Sequence, residues 1–514
     1  MSNVDLQSNG LMRIAVFVDP AWIWRWHKWL VVTLQDKGHR VDLCLAGHSH
    51  ELPPRLRLLL SLERLLYRQG AESASDLVGI EQFENVSILN EPAKSGYDLV
   101  LDLAGDTRLS DFRCRRFRPL YDNMAGTADL VGLLLNGHAP RLSLDDSALP
   151  EPRRFGLCAV QQPQIVVRGL DNVFSRMAGT LLKSVNEIAD NIATTPPDAL
   201  SAEQASRKRA RAPLKCGRFL LGNLATKIGN RLNRLVRKGS AENIRWGVGW
   251  RFCDNQPVRD SHELEIGDFN RLLDDGRRFY ADPFVIWYEG LHHVFVEEFP
   301  FDTQKGIISH FTIDQDGQTS AINMVLSRPY HLSYPFIFKQ DGQFWMIPET
   351  SGNNAVELYR AVQFPDKWVF EKTLIDEIKL DDVTLIHHDE RLWMFAAVSD
   401  WQSSQWDALG LFYSHDLFGE WHRHQANPVL LDARAARPAG AMYNKDGALW
   451  RPAQDCSEIY GGGLSLCRVD RLDTERFEQT VMHRFKPQGK DRLLGLHTLN
   501  EDHGLEVIDF FGRL

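Results

Sequence analysis

From about residue 245 onward, short apolar runs alternate with polar punctuation in a layout that returns five times. Tyr-Ala-Asp-Pro-Phe at 280–284 leads through a turn to Val-Phe-Val-Glu-Glu at 294–298. Ser-Tyr-Pro-Phe at 333–336 leads to Phe-Trp-Met-Ile-Pro-Glu at 344–349, and Asp-Val-Thr-Leu at 382–385 to Leu-Trp-Met-Phe-Ala at 392–396. The last two pairs join 437–440 to 449–454 and 495–499 to 505–510. Between the runs stand Tyr-Glu-Gly at 288–290, Gln-Asp-Gly at 340–342, His-Asp-Glu at 388–390, Lys-Asp-Gly at 445–447 and Glu-Asp-His-Gly at 501–504. Asp-Gly between two alternating runs is a hairpin signal. A period of roughly 50 residues is that of propeller blades. The pattern predicts an all-β five-bladed propeller over 245–514.

The first part of the chain has a different rhythm. Residues 12–18 are an apolar run ending at Asp19-Pro20, which reads as a buried strand. Trp22, Trp26, Trp29, Leu30 and Leu34 then recur at helical spacing up to Asp36, and residues 41–46 form the next strand. Residues 96–105 predict a central strand, 128–137 an amphipathic helix and 141–144 a further strand. This βαβ opening predicts an α/β domain with a parallel sheet over 11–190. The phosphate-cradling G-x-G-x-x-G is absent from the first turn, which argues against a dinucleotide site. Asp19 ends the first strand, where open α/β sheets bind ligands; a helix N-cap is its other reading.

Residues 191–244 read as a linker through Thr-Thr-Pro-Pro-Asp at 194–198. Within it, 207–238 carries Arg and Lys interleaved with Leu220, Leu221, Leu224, Ile228, Leu232 and Leu235. A basic amphipathic helix of this kind suits peripheral contact with an anionic membrane face, or packs as a linker with its charges in water.

Composition narrows the classes. The content of 43% hydrophobic and 25% charged residues is that of an ordinary globular chain. A net charge of −9 gives no case for a nucleic-acid partner. The seven cysteines are scattered without a C-x-x-C pair, which reads as free thiols in a reducing cytoplasm. No Cys/His cluster has zinc spacing, and no D-x-D follows an apolar strand, so no metal and no cofactor are expected. The N-terminus has no charged stretch followed by an apolar one, and no run is long enough to span a bilayer; the expected location is cytoplasmic, with contact at the inner membrane face through 207–238.

In a propeller the innermost strands line a central channel. The polar residues at the starts of those strands therefore converge on one funnel: Asp282, the segment His331 to Tyr334, Asp382, Arg437 and His497. Glu297, Glu298, Glu349, Arg451, Gln454 and Asp455 lie on or beside the neighbouring strands. Glu297 and Glu298 point to opposite faces, so at most one reaches the funnel. Close carboxylates push one pKa upward and set a proton donor beside an ionised partner, the arrangement that glycosidic-bond chemistry uses.

Two resemblances follow from these motifs. The βαβ opening, the strand Tyr-Asp-Leu-Val-Leu at 97–101 and the helix ending Leu-Leu-Asn-Gly at 134–137 resemble the formyltransferase fold over about residues 11–190. That family implies an Asn, a His and an Asp close together, the Asn-His part in the interval 115–127, which here offers Asp122 and Asn123 but no His. The resemblance therefore implies a degenerate relative. Ala-Asp-Pro-Phe at 281–284, His-Leu-Ser-Tyr-Pro at 331–335, Ile-Pro-Glu at 347–349, Asp-Val-Thr-Leu at 382–385, Ala-Arg-Pro-Ala-Gly at 436–440 and Arg-Pro-Ala-Gln-Asp-Cys-Ser at 451–457 resemble the propeller domain at the N-terminus of plant glucosamine inositolphosphorylceramide transferases. More distantly the propeller is similar to five-bladed glycoside hydrolases. Their three-acid pattern is matched at Asp282 but departs at Ser333 or Tyr334 and at Asp382.

The expected function is a carbohydrate-active enzyme, a glycosyl-transferring one of cytoplasmic glycan or glycolipid assembly, with a nucleotide sugar as the donor class. Asp282, Asp382 and Glu349 are the candidate catalytic residues. Glu298, His331, Tyr334, Arg437, Arg451, Gln454, Asp455 and His497 are the candidate substrate-binding residues. The alternatives are a glycoside hydrolase using the same carboxylates, a non-catalytic glycan-binding scaffold, and a formyltransferase acting on a sugar.

Overall fold

The computed structural model describes residues 10–47, 53–67, 72–105, 109, 111–190, 244–253, 256–261, 264–487 and 493–513. The basic segment 207–238 lies outside the described residues. The chain divides into two compact units, one reaching Gly239 and including Asp400–Ser404, the other running from Ser240 to Leu514 without that short segment.

Unit 1 is an α/β domain. Its elements are β1 (Arg13–Val18), α1 (Arg25–Asp36), β2 (Arg40–Leu45), α2 (Pro54–Tyr67), β3 (Ser87–Leu89), β4 (Leu99–Asp102), β5 (Arg115–Tyr121), α3 (Thr127–Leu135), β6 (Arg141–Asp146), β7 (Arg153–Leu157) and α4 (Val166–Ala189). The seven strands lie in the order β3-β2-β1-β4-β5-β6-β7. The first five run parallel, and β6 and β7 turn antiparallel. Residues 14–18 of β1 are buried, as a continuous apolar run in a parallel sheet requires. The helix after β1 starts later than the Trp spacing suggests. Asp19 Oδ1 accepts the Ala21 N–H at 2.9 Å, so this carboxylate shapes the turn that leaves β1. Trp26, Leu30 and Leu34 form the buried face of α1. Asp122 and Asn123 both have positive φ in a tight turn, and Asp122 Oδ1 accepts the Arg141 N–H at 2.8 Å.

Unit 2 is a five-bladed β-propeller. It opens with β8 (Ile244–Phe252) and β9 (Asn270–Arg271). Blade one is β10 (Arg278–Tyr288), β11 (Leu291–Pro300), β12 (Ile307–Ile313) and β13 (Asn323–Leu326). Blade two is β14 (Ser333–Gln340), β15 (Gln343–Glu349), β16 (Val356–Gln363) and β17 (Lys367–Ile375). Blade three is β18 (Leu380–His388), β19 (Arg391–Val398), β20 (Ala408–Ser414), β21 (His422–Arg423) and β22 (Leu430–Leu431). Blade four is β23 (Tyr443–Lys445), β24 (Ala448–Gln454), β25 (Leu464–Leu472) and β26 (Phe477–Phe485). Blade five combines β27 (Leu493–Gly495), β28 (Leu499–Asp502) and β29 (Leu505–Arg513) with β8 and β9 from the start of the unit. Pairing of β29 with β8 along its whole length closes the ring, because blade five then takes strands from both ends of the unit.

The five predicted hairpin turns share one geometry. Glu289 and Gly290, Asp341 and Gly342, Asp389 and Glu390, Asp446 and Gly447, and His503 and Gly504 all take positive φ. Two consecutive left-handed residues match the twist of the flanking strands, which is why Gly recurs at the second seat. Between blades the core is aromatic and aliphatic. Phe284, Phe295, Tyr334, Met346, Ile347, Tyr359 and Met394 belong to one continuous buried cluster. The six described cysteines are free, and none of the described helices is long and apolar enough to cross a membrane.

Candidate active site

One backbone device, repeated, builds the site. The pairing of β10 with β11 jumps from Ala281 to Phe284, that of β14 with β15 from Ser333 to Phe336, and that of β18 with β19 from Asp381 to Thr384. The first residue of each bulge is left-handed, with φ of 50° at Asp282, 43° at Tyr334 and 55° at Asp382. Bulges re-aim side chains at sheet ends, and left-handed backbone at non-glycine residues concentrates at functional sites. Arg437 and His497 stand at the corresponding places of blades four and five, two residues before Ala439 and Leu499.

These five residues form two bonded groups. Arg437 donates to Asp382 from Nε at 2.6 Å and from Nη2 at 3.1 Å, and Gln454 Nε2 adds a third bond to Asp382 at 2.8 Å. Asp282 accepts the Tyr334 N–H at 3.2 Å and the Thr498 hydroxyl at 2.9 Å. His497 Nδ1 lies 2.5 Å from Asp509 Oδ2, and its Nε2 is 3.7 Å from Asp282 Oδ1. Asp509 also accepts the N–H groups of Asp282, His497 and Thr498, each at 2.9 Å. The Tyr334 ring is wholly buried; its hydroxyl accepts the Gly440 N–H at 2.7 Å and pairs with Thr384 Oγ1 at 2.9 Å.

Arg437 meets more negative charge than it can neutralise. Its Nη2 is 3.7 Å from Glu349 Oε2 and its Nη1 is 4.0 Å from Asp381 Oδ2, in addition to Asp382. One guanidinium against three carboxylates favours keeping a proton on one of them. Asp381 is suited to hold it. Burial, then the charge of Glu349, push its carboxyl up to about 7 against the pull of Arg437. Its Oδ2 is buried and accepts no hydrogen bond. Glu297 behaves alike: burial, then Asp282 and Glu349, hold it well above the usual carboxylate range. Its Oε1 is 3.4 Å from His331 Nε2. Burial also raises Asp282, with His497 opposing. Burial holds Asp382 well above the usual carboxylate range too, opposed by the Arg437 ion pair. For His497, burial pulls downward, but Asp509 and Asp282 outweigh it and the net direction is up.

An aromatic wall flanks these charges. The Trp246 indole stacks on His497 with ring centroids 3.9 Å apart. Tyr460 stands edge-on to His497 at 5.2 Å, its ring lies 5.3 Å from the Arg437 guanidinium carbon, and Trp406 is 5.5 Å beyond it.

The structure sorts the residues read from the sequence. Asp282, Asp382, Glu349, Arg437, Gln454 and His497 come together, and His331 joins through Glu297. Glu298 does not. It opposes Tyr280 across the hairpin and bonds Arg278 and, at 2.6 Å, the Ser309 hydroxyl, so the funnel side belongs to Glu297. Tyr334 lies below the charged group as a buried brace. Arg451 is buried inside blade four, where it donates to the Gln479 side chain and the carbonyls of Ala435 and Ala436. Asp455 accepts from the N–H and hydroxyl of Ser457 and forms a turn. Sequence reasoning passed over Asp509, Thr498, Trp246 and Tyr460. The first two had a signal, the polar pair His497-Thr498 facing an Asp in an otherwise apolar strand. Trp246 and Tyr460 arrive from the closing strand and a long loop, with no local pattern to mark them. Asp282, His497 and Asp509 offer one ligand atom each within 4.8 Å of one another, a set of the right type for a divalent cation.

Comparison with known proteins matches the propeller. Residues 273–500 match the family model described as Glucosamine inositolphosphorylceramide transferase 1, N-terminal. The chain is 33% identical over 209 residues to Glucosamine inositolphosphorylceramide transferase 1 of Oryza sativa subsp. japonica, covering 40% of this chain and 28% of that one. It is 31% identical over 205 residues to the Arabidopsis thaliana protein of the same name, covering 39% of this chain and 27% of that one. The match thus spans less than a third of those relatives' length. Among solved structures, a family 117 glycoside hydrolase of Zobellia galactanivorans aligns at 12% identity and a TM-score of 0.34 over 53% of this chain and 92% of that one. The catalytic domain of a GH62 α-L-arabinofuranosidase of Coprinopsis cinerea aligns at 11% identity and a TM-score of 0.35 over 53% and 98%.

Proposed function

We propose that this protein is a carbohydrate-active enzyme that transfers a glycosyl group in the propeller funnel. The carrying observation is the Arg437 cluster, in which a buried Asp381 keeps a proton near neutral pH beside Glu349. In this reading Asp381 gives its proton to the oxygen that leaves the anomeric carbon. Glu349, whose side chain is 13% exposed and the most open of the clustered acids, takes the proton of the incoming hydroxyl. Asp382 holds Arg437 in place, and Asp282 with His497 orients sugar hydroxyls. The rings of Trp246 and Tyr460 offer flat apolar faces to a sugar. The donor is a nucleotide sugar and the acceptor a saccharide or glycolipid on the cytoplasmic side of a membrane. The propeller match to plant transferases supports transfer; hydrolysis by the same acids, with water as acceptor, is the competing reading.

The test is product detection by mass spectrometry. Purified protein is incubated with pooled nucleotide sugars, lipid-linked acceptors and aryl glycosides, beside Asp381→Asn and Glu349→Gln. A new glycoside made only by the unmodified protein supports transfer. Cleaved aryl glycoside without transfer product supports hydrolysis. Glycan binding by all three proteins with no product from any pool would sink both.

A further inference from the structure

Helix α2 of unit 1 is apolar on two sides. Its inner side carries Leu56, Leu59, Leu60 and Glu63, all buried. Leu58, Leu62, Leu65 and Leu66 recur at helical spacing on the other side. Leu62 is half-buried, whereas Leu58 is 60%, Leu65 80% and Leu66 56% exposed. Single leucines in water are ordinary, but a row of four on one face makes a patch, and patches mark contacts. A surface helix with only one partner would turn charge outward here.

The charges of α2 indicate what the contact is. Its one acid, Glu63, points inward, where Oε2 accepts the Val167 N–H at 3.0 Å near the start of α4. Arg64 is turned inward as well: it donates to the Ser75 carbonyl, and its guanidinium carbon lies 5.7 Å from the Trp24 ring centroid. Arg55 and Arg57 are exposed in the first turn, Arg57 with its guanidinium over the Trp22 ring at 5.1 Å. The outer side therefore carries leucine and arginine and no carboxylate. With 14 residues the helix is about 21 Å long, too short to span a bilayer but suited to lie in its interface.

Three occupants could cover such a face: a second copy, the stretch 207–238 of this chain, or a lipid surface. A second copy of the face brings the same arginines and no acid to balance them. The stretch 207–238 contains Arg231, Arg234, Arg237 and Lys238 and no acid at all, so it too adds like charge. An anionic lipid surface supplies both things the face lacks, acyl chains for leucine and phosphates for arginine. We propose that the outer face of α2 seats unit 1 on an anionic membrane surface, with Leu58, Leu62, Leu65 and Leu66 in the acyl boundary and Arg55 and Arg57 among the headgroups. This contact does not depend on the reaction in the funnel.

The experiment is co-sedimentation of the full chain with vesicles of phosphatidylcholine alone, or with about one quarter phosphatidylglycerol. The unmodified protein should partition onto the mixed vesicles far more strongly than onto the neutral ones, and less so as salt rises. Leu65→Gln with Leu66→Gln should weaken that partition about tenfold or more. Arg55→Gln should weaken it about fivefold on the mixed vesicles and leave the neutral ones unaffected. An unchanged urea midpoint certifies that each variant is folded, as expected for exposed positions. Equal partition onto neutral vesicles, or undiminished partition by the folded leucine variant, would overturn the proposal; the latter would leave 207–238 as the membrane contact. So would absence of vesicle binding together with self-association that the leucine variant abolishes, since a second copy would then own the face.

Discussion

Arg437 grips Asp382 through two parallel hydrogen bonds, of 2.6 and 3.1 Å, although the two residues lie 55 positions apart in adjacent blades. Both are almost fully buried. A buried ion pair owes little to its own attraction, since desolvation offsets it, but removing one partner strands the other. Asp382→Asn should therefore destabilise the propeller by roughly 3 kcal/mol, read as a lower midpoint in urea with an unchanged slope. An unchanged midpoint would mean that Arg437 re-pairs with Glu349 and Asp381 at no cost.

The cluster also predicts a pH dependence. Asp381 is raised to about 7 when folded, above its ordinary value, so the folded state binds more protons between those limits. Its contribution to stability is thus present at low pH and lost as pH rises through about 7. Asp381→Asn removes that loss. The stability difference between the two proteins should shift in favour of the variant by at most about 1.4 kcal/mol per pH unit up to neutrality. A pH-independent difference from urea titrations at several pH values would contradict this assignment of the proton.

If Asp381 is the acid, kcat/KM of the unmodified protein falls above about pH 7, where its proton is lost. Asp381→Asn should lower kcat on the order of a hundredfold or more and abolish that alkaline limb. A variant that keeps the limb would move the acid role to Glu297, which Glu297→Gln then tests.

Gly461 sits against the aromatic wall with φ of +57°. A Cβ there would lie 2.8 Å from Trp246 Cη2 and 2.9 Å from His497 Cβ. Gly461→Ala should push Trp246 off His497 and destabilise by about 1–3 kcal/mol, visible as a lower melting temperature and an altered tryptophan emission. An unaltered spectrum and melt would show that the loop yields freely.

Blade three offers a converse case. Its hairpin seats Glu390 at φ of 60°, where the other four blades use glycine. Glu390→Gly should stabilise by roughly 1 kcal/mol, read as a higher melting temperature, because the left-handed cost for a side chain exceeds the entropy cost of glycine. A lower melting temperature would show that the side chain of Glu390 contributes more than its backbone costs.

What the sequence determined by itself is the repeat. Apolar alternation fixes strands and Asp-Gly-like turns fix hairpins, both through interactions a few residues long. The same repeat exposes the inner position of every blade, so Asp282, Asp382, Arg437 and His497 were legible as a converging set. The α/β character of unit 1 was legible for the same reason, since periodicity is local. Tertiary structure decided the rest. Pairing of Ala281 with Glu297, across the bulge that turns Asp282 inward, gives the funnel side to Glu297 and sends Glu298 to Arg278. Ring closure by β8 brings Trp246 onto His497, and Asp509 becomes its anchor only when the last strand folds back. The upward push on the Asp381 carboxyl follows from three acids sharing one guanidinium while hidden from water. Charge balance and desolvation depend on distance in space, and distance in space is what a linear pattern does not carry.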